Sequence, residues 1–227
     1  MKKTALIVMA LLLGTFIGTS FAVEVTLFGP NQYTRTTGKP NVYADTFPGI
    51  SGQGKLVLKN GTQDGKNRVS SALITINGKQ VLSPKDFNQK VYEIDVPINL
   101  AENNSISVEL RSNPGSYLAI MVTEDVEGEA ATKLTTLVFS DALERGNTTK
   151  ALDFVLESAK EKFEEIFMNL GNGGVRELGE TLKNATPVFV GETYAEYQGI
   201  VTFPNGDRVI GKFSLIKTSI GWRFTQI

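Results

Sequence analysis

The chain contains no cysteine among its 227 residues, and it contains no histidine either. Without cysteine, neither disulfides nor thiolate chemistry is available, so the fold must depend on hydrophobic burial and hydrogen bonds. Without histidine, the chain lacks the commonest general base and the commonest metal ligand. These absences argue against the ordinary kinds of zinc site and against a serine–histidine catalytic pair. We therefore expect neither a metal nor another cofactor.

The first 22 residues have the pattern of a removable signal peptide. Lys2 and Lys3 form a positive start, and residues 4–17 are uncharged and almost entirely apolar. Ser20 and Ala22 are small residues at the −3 and −1 positions of a cleavage site before Val23. The apolar run is shorter than the roughly 20 residues of a membrane span, although an uncleaved anchor stays an alternative. We expect export to the periplasm or out of the cell.

Charge and hydropathy along the remaining chain exclude two further classes of protein. The whole chain has 23 basic and 24 acidic residues, a formal net charge of −1, and removal of Lys2 and Lys3 makes the mature chain more acidic. This balance leaves no excess of positive charge of the kind that nucleic-acid-binding proteins have. No later segment is apolar enough to cross a membrane, so we expect no transmembrane segment after cleavage.

Residues 23–125 are predicted to form a β-sandwich domain. Apolar and polar residues alternate with the period of two that is typical of half-buried strands, in segments 23–27, 56–58, 72–76, 91–96, 106–110 and 118–122. Asn77-Gly78 between two strands predicts a type I′ hairpin. About seven short strands without a helix signal indicate an all-β immunoglobulin-like sandwich.

Several motifs of this region resemble a β-sandwich module found in many exported bacterial proteins. They are Arg68-Val69-Ser70-Ser71-Ala72, Ile76-Asn77-Gly78, Pro84-Lys85-Asp86-Phe87-Asn88-Gln89, Val108-Glu109-Leu110-Arg111-Ser112 and Pro114-Gly115-Ser116. The resemblance implies a structural or adhesive unit, and it brings no catalytic residues.

Three polar features of the sandwich region have a structural and a functional interpretation. The loop from Asn60 to Asn67 offers oxygen atoms of the type that calcium prefers, but it contains only one carboxylate, at Asp64. We therefore favour a polar turn over a calcium site. Arg68 and Arg111 are expected to pair with acidic residues near the edge of the sandwich rather than to recognise a ligand.

The acidic segment 126–130 is predicted to be a linker, and residues 131–227 an α+β domain. Leu134, Leu137, Val138 and Ala142 share one helix face, and Gly146 follows as a stop signal. A second apolar stripe, on a following helix, ends at the glycines of residues 171–174. Ser158 and Glu161, at the start of this helix, have the spacing of a capping box. The stripe consists of Phe163, Ile166, Phe167 and Leu170.

After these helices the period falls to two, which predicts strands over 187–190, 194–203, 208–217 and 222–227. Asn205-Gly206 predicts a two-residue hairpin between the middle two. Helices followed by an antiparallel meander indicate helices packed on a curved antiparallel sheet.

The order and the details of this part resemble the nuclear transport factor 2-like superfamily, a cone-shaped α+β fold. The resemblance lies in Phe139-Ser140-Asp141-Ala142-Leu143-Glu144-Arg145-Gly146-Asn147, Ala151-Leu152-Asp153-Phe154, Lys162-Phe163-Glu164-Glu165-Ile166-Phe167, Tyr194-Ala195-Glu196-Tyr197 and Gly221-Trp222-Arg223-Phe224. This superfamily includes enzymes, ligand binders and assembly modules, so the resemblance implies a fold and no single function.

Enzymatic members of that superfamily typically have an aspartate–histidine pair, which this chain cannot provide. Its remaining carboxylates are Asp141, Asp153, Glu196 and Asp207, and nothing in the sequence arranges two of them around a substrate. We therefore predict that the protein is not an enzyme and has no catalytic residues.

Six aromatic residues are candidates for the lining of a ligand pocket in the C-terminal domain, because pockets are mostly apolar with a few polar tips. They are Phe163, Phe167, Tyr194, Tyr197, Phe213 and Trp222. In the alternative that we favour, these rings fill the core between the helices and the sheet, because so small a domain needs its aromatic residues to fold.

The sequence alone thus predicts an exported, non-catalytic protein of the cell envelope that acts as a binding or assembly module. Its partner would be a second copy or another envelope protein, contacted through sandwich edge strands or the open sheet face. A binder of a small apolar ligand in the C-terminal pocket stays an alternative. A hydrolase or isomerase of the cone-shaped fold is a less favoured one.

Overall fold

The computed structural model describes residues 22–202 and 207–227, which fold into an α+β structure made mostly of antiparallel sheet. The predicted signal peptide up to residue 21 and the predicted Asn205-Gly206 turn lie outside these residues. The first eight strands, β1 to β8, are Val23–Thr34, Asn41–Pro48, Gly52–Asn60, Ala72–Ile76, Lys79–Leu82, Glu93–Leu100, Asn103–Leu110 and Tyr117–Val126. The helices α1 to α3 are Gly128–Glu144, Thr148–Leu152 and Lys160–Lys183. The last four strands, β9 to β12, are Thr186–Val190, Tyr194–Thr202, Arg208–Thr218 and Gly221–Gln226.

The strands from β1 to β8 form two antiparallel sheets with the orders β1-β8-β3-β6 and β2-β7-β4-β5. Each of the six segments predicted from alternation overlaps a strand, and β5 is the second strand of the predicted Asn77-Gly78 hairpin, whereas β2 was not predicted. Asn77 and Gly78 have φ angles of 52° and 74° between β4 and β5, which confirms the positive φ values of the predicted hairpin. Alternate residues of these strands, such as Leu58 and Ile74, are fully buried.

The edge strands of these two sheets are poor templates for further strand pairing. Pro30 lies in β1, Pro48 at the end of β2 and Pro97 in β6, and each lacks the N–H that a ladder needs. The remaining edge strand, β5, has only four residues. Proline and short length are the usual protections against edge-to-edge association.

The polar loop after β3 is organised by its own hydrogen bonds. The buried Asn60 side chain accepts from the Val69 N–H at 2.7 Å and donates to the Val69 carbonyl at 2.9 Å. Asp64 pairs with Lys66 at 2.9 Å. Because these contacts already occupy both side chains, the geometry fits the polar turn that we favoured over a calcium site.

The two arginines for which acidic partners were predicted behave differently. Arg111 pairs with Glu109 at 2.7 Å, as predicted. The guanidinium of Arg68 is buried, donates to the Gln89 carbonyl at 3.0 Å and lies over the Tyr92 ring. The predicted acidic partner of Arg68 is therefore wrong, because the loops around it supply carbonyl oxygens instead.

Helix α1 begins at Gly128, inside the segment predicted as a linker, and its first turns are rich in threonine. Thr135 and Thr136 are buried because their hydroxyls donate to the carbonyls of Ala131 and Thr132 at 2.8 and 2.9 Å. The helix ends at Glu144, and Gly146, just after the C-cap Arg145, has a φ of 70°, as expected of the predicted stop signal.

Helix α3 is interrupted at Gly171, where φ is 61° and ψ is 180°. This confirms the prediction that the apolar stripe from Phe163 to Leu170 ends at the glycines that follow it. The predicted capping box of Ser158 and Glu161 is wrong, because the helix begins at Lys160 without a side-chain cap. The preceding residues are instead held against β12, since the Leu156 N–H donates to the Phe224 carbonyl at 2.9 Å.

The last sheet has the order β12-β11-β10-β9, and helices α1 and α3 pack on one of its faces. The Tyr197 hydroxyl of β10 bonds to the Thr132 hydroxyl of α1 at 2.7 Å. Gly199 of β10 lies against Thr181 of α3, where an added Cβ would be 3.0 Å from the threonine methyl. Residues 195, 197 and 199 therefore face the helices, and the alternate residues face away from them.

Two side chains of the helical region contact the N-terminal sheets. Arg145, just after α1, pairs with Asp45 of β2 at 2.7 Å and with Asp141 at 2.9 Å. Lys150 of α2 donates to the Gly29 carbonyl at 2.7 Å. The division into an immunoglobulin-like domain, a linker and a cone-shaped domain stays a prediction.

Glu124 of β8 is a buried carboxylate, and its burial generates a pH prediction. Its oxygen accepts the Ile50 N–H at 3.2 Å, but burial outweighs this bond and raises the carboxyl pKa above its ordinary value of 4.5. Between pH 4.5 and the raised pKa of Glu124, the folded protein therefore binds more protons than the unfolded chain. The free energy of unfolding falls as the pH rises through this interval. We expect Glu124→Gln to raise the melting temperature at pH 7, with the gain disappearing below about pH 4.

The matched control is Glu109→Gln, because Arg111 lowers the pKa of the exposed Glu109 carboxyl. This variant should gain no stability at pH 7 when both variants are melted across a pH series. A Glu124→Gln variant that is less stable than the wild type at pH 7 would contradict the assignment.

Candidate functional site

Five of the six aromatic residues predicted as pocket lining are buried in the space between the helices and the last sheet. They are Phe163, Phe167, Tyr197, Phe213 and Trp222. The sixth, Tyr194, is 39% exposed on the other face of the sheet, beside Phe189. The structure thus separates Tyr194 from the rest of the predicted set.

The buried rings are in contact with one another. Phe139 of α1 stacks on Phe224 of β12 with ring centroids 4.1 Å apart, and Phe224 lies 5.5 Å from Phe213. Phe213 in turn stacks on Tyr197 at 5.3 Å, and Phe163 meets the edge of Phe139. Sequence reasoning did not select Phe139 or Phe224, although Phe224 alternates with Trp222 in the last strand. This packing fits the core-filling alternative, and the ligand-pocket alternative stays a prediction.

The four candidate carboxylates lie in separate surroundings. Asp141 is paired with Arg145, and burial raises its carboxyl pKa. Asp153 and Asp207 are exposed at the end of α2 and before β11, and Glu196 faces away from the helices. Within residues 22–202 and 207–227, no group of three or more acidic side chains is placed to hold a metal ion.

The face of the last sheet that is turned away from the helices carries a distinct group of side chains, which we call the outer sheet face. It comprises Phe189, Tyr194, Glu196, Gln198, Ile200, Ile210 and Lys212. Ile200 and Ile210 lie directly opposite each other on β10 and β11 and are 53% and 67% exposed. Phe189 is 55% exposed, with its ring 6.2 Å from that of Tyr194. Two exposed apolar pairs thus occupy the two ends of the face.

One ion pair lies between the two apolar pairs. Lys212 donates to Glu196 at 2.7 Å, and the Tyr194 hydroxyl donates to the other carboxylate oxygen at 3.2 Å. The hydrogen bonds from Lys212 and Tyr194 lower the pKa of the Glu196 carboxyl, and the bond to Glu196 raises the pKa of Lys212. Both groups are therefore charged at neutral pH. The face carries both signs of charge, since Arg208 of β11, two residues before Ile210, adds a second cation at one end.

Exposed large hydrophobic residues are concentrated in this part of the described chain. Four of them, Phe189, Tyr194, Ile200 and Ile210, lie on the outer sheet face. Val188 and Val209 belong to the same strands but alternate with Phe189 and Ile210, so they point to the other side. Others, such as Val42 and Met168, lie apart from this group on β2 and α3. Exposed apolar residues gathered on one face mark an interaction surface more often than single exposed residues do.

A cleft of about 280 Å³ lies where the N-terminal sheets meet α1 and α3. Phe47, Pro48 and Leu137 contribute its apolar surface. Its charged residues are largely engaged with neighbours, since Arg145 binds Asp45 and Asp141 while Lys183 binds Glu144 at 3.0 Å. Such paired charges fit a structural role better than ligand recognition.

Comparisons of the chain with protein-family models, with curated proteins and with solved structures gave no match. The functional argument therefore depends on the geometry of the described residues.

The helices of the described residues include none with the length and apolarity that a membrane span requires.

The aromatic packing leads to a prediction that separates core residues from surface residues. Phe163→Ala removes a fully buried ring and should lower the free energy of unfolding by about 4 kcal/mol. Tyr194→Ala should cost less than about 1 kcal/mol, because that ring is partly solvated already. Urea denaturation of both variants measures the difference. Equal losses at the two positions would contradict the assignment of Phe163 to the core and Tyr194 to the surface.

Proposed function

We propose that the protein is an exported, non-catalytic assembly module of the cell envelope, and that its outer sheet face binds a second copy of the chain. The observation that carries this proposal is the arrangement of two exposed apolar pairs around one ion pair. Burial of Ile200 and Ile210 in particular would remove from water a surface that the fold leaves exposed.

The charges of this face favour a second copy over a partner of different composition. Most homodimers have a two-fold axis, so the same surface patch must be complementary to itself. A two-fold axis near the centre of the face brings Glu196 of one copy opposite Lys212 of the other. A face that carries both signs of charge satisfies this condition, whereas a face of single sign would repel its copy.

Face-to-face packing also agrees with the state of the sheet edges. Residues 154–156 run along β12, where the Phe224 N–H donates to the Phe154 carbonyl at 2.8 Å. The opposite edge strand, β9, contains Pro187. Because the edges of the N-terminal sheets are protected as well, the outer sheet face is a better candidate than strand addition.

The non-catalytic part of the proposal is supported by the absence of histidine and by the separation of the carboxylates. Export is supported by the pattern of the first 22 residues. Strand β1 begins at Val23, which pairs with Val126, so cleavage after Ala22 would leave this strand complete.

The proposal predicts that Ile210→Lys converts a dimer to a monomer. A lysine at this position adds an unpaired positive charge to the apolar end of the interface, where desolvation is costly. The matched control is Ile220→Lys, because Ile220 is 70% exposed in the turn before β12, away from the outer sheet face. Sedimentation velocity of the mature chain should show a dimer for the wild type and the control, and a monomer for Ile210→Lys.

Melting temperatures establish that both variants are folded. A wild-type protein that is monomeric up to about 100 μM would contradict self-association of useful strength. An Ile210→Lys variant that remains a dimer would place the interface elsewhere.

A further inference from the structure

A second cleft, of about 210 Å³, lies where β1 meets α2 and the start of β12. Its lining includes two basic residues, Lys150 and Arg223, and the apolar residues Pro30, Phe154 and Trp222. It also includes two acidic residues, of which Glu24 is paired with Lys55 at 3.1 Å, whereas Asp153 forms no ion pair with either cation of the cleft. This cleft is separate from the outer sheet face, so an inference about it does not depend on the proposed assembly.

Lys150 is held in position without an acidic partner. Its ammonium donates to the Gly29 carbonyl at 2.7 Å and lies 5.7 Å from the centre of the Phe154 ring. A lysine ammonium has three N–H groups, so two remain for another acceptor. Burial lowers the pKa of this ammonium, which shows that its surroundings do not fully replace the water it has lost.

Arg223 contributes a second half-buried cation to the same cleft. One of its terminal nitrogens donates to the Trp222 carbonyl at 2.7 Å. Burial lowers the pKa of its guanidinium, and the charge of Asp153, which lines the same cleft, opposes this effect. Among the described residues, neither Arg223 nor Lys150 has a carboxylate within the 4.0 Å of an ion pair.

We propose that this cleft binds a small organic carboxylate. The ligand's carboxylate accepts from Lys150 and Arg223, and its apolar body lies against Phe154 and Trp222. A guanidinium binds carboxylates with two parallel hydrogen bonds, and an anion between the two cations offsets the cost of their burial. Ligand pockets for drug-sized molecules usually have volumes of about 300–1,000 Å³, so this smaller cleft suits a ligand of about ten non-hydrogen atoms.

Trp222 provides a direct report on the site, because it is the single tryptophan of the chain and lines the cleft. The probe is benzoate, which joins a carboxylate to a compact ring. Benzamide is its neutral counterpart of nearly the same shape. In a titration followed by tryptophan fluorescence excited at about 295 nm, benzoate should give a saturable change with a Kd on the order of 1 mM, and benzamide should bind at least tenfold more weakly.

Three substitutions test which residues hold the carboxylate. Lys150→Gln and Arg223→Gln should each weaken benzoate at least tenfold, because each removes a charge-assisted hydrogen bond. Lys150→Arg keeps the charge and should retain most of the affinity. Lys217→Gln is the matched control, because Lys217 is a nearby lysine on β11 that does not line the cleft, and its benzoate affinity should be unchanged.

Circular dichroism shows whether each variant is folded, and Lys150→Arg keeps the test decisive if a glutamine variant unfolds. The absence of a saturable benzoate response in the wild type would overturn the proposal. Equal binding of benzoate and benzamide would overturn it too, since an apolar cleft would then be enough. Loss of benzoate binding in Lys217→Gln to the same extent as in Lys150→Gln would show that net charge matters rather than this cleft.

Discussion

Helices α1 and α3 cover one face of the β9–β12 sheet, and the proposed function depends on this one-sided packing. The covered face takes up most of the aromatic residues of the region, in the contacts that run from Phe139 through Phe224 and Phe213 to Tyr197. In a chain without cysteine, this core must supply its stability without disulfides. The same alternation turns Ile200 and Ile210 to the opposite side, where no described element covers them.

The sequence predicts the elements whose periodicity is strong and whose ends have turn residues. The Asn77-Gly78 hairpin, the stop at Gly146 and the break at Gly171 are examples, since each requires a positive φ that glycine or asparagine tolerates. Strand β2 was missed because it is an edge strand in which Phe47 alone is fully buried. The start of α1 was missed because its buried side includes threonines, which satisfy their hydroxyls within the helix and conceal the apolar pattern.

The candidate site was harder to predict than the fold, because its residue types do not reveal which way each ring points. Tyr194 and Tyr197 are three positions apart on one strand, so they lie on opposite faces of the sheet. The predicted set placed them together. The alternation itself contained the signal, since Tyr197 is two positions after the fully buried Ala195 and therefore lies on the same face of the strand. Deciding which of the two faces of the strand is buried requires knowing where the helices dock. Their docking depends on contacts between residues far apart in the chain.

The most direct measurement of the central claim is disulfide trapping across the outer sheet face, because a chain without cysteine allows a single thiol to be placed at will. Gln198 lies opposite Lys212 in this face, and Lys79 is an exposed residue of β5 that serves as the control position. If two copies pack through this face, mild oxidation converts Gln198→Cys, but not Lys79→Cys, to a covalent dimer. A Gln198→Cys protein that stays monomeric, or that crosslinks no faster than Lys79→Cys, would contradict the account.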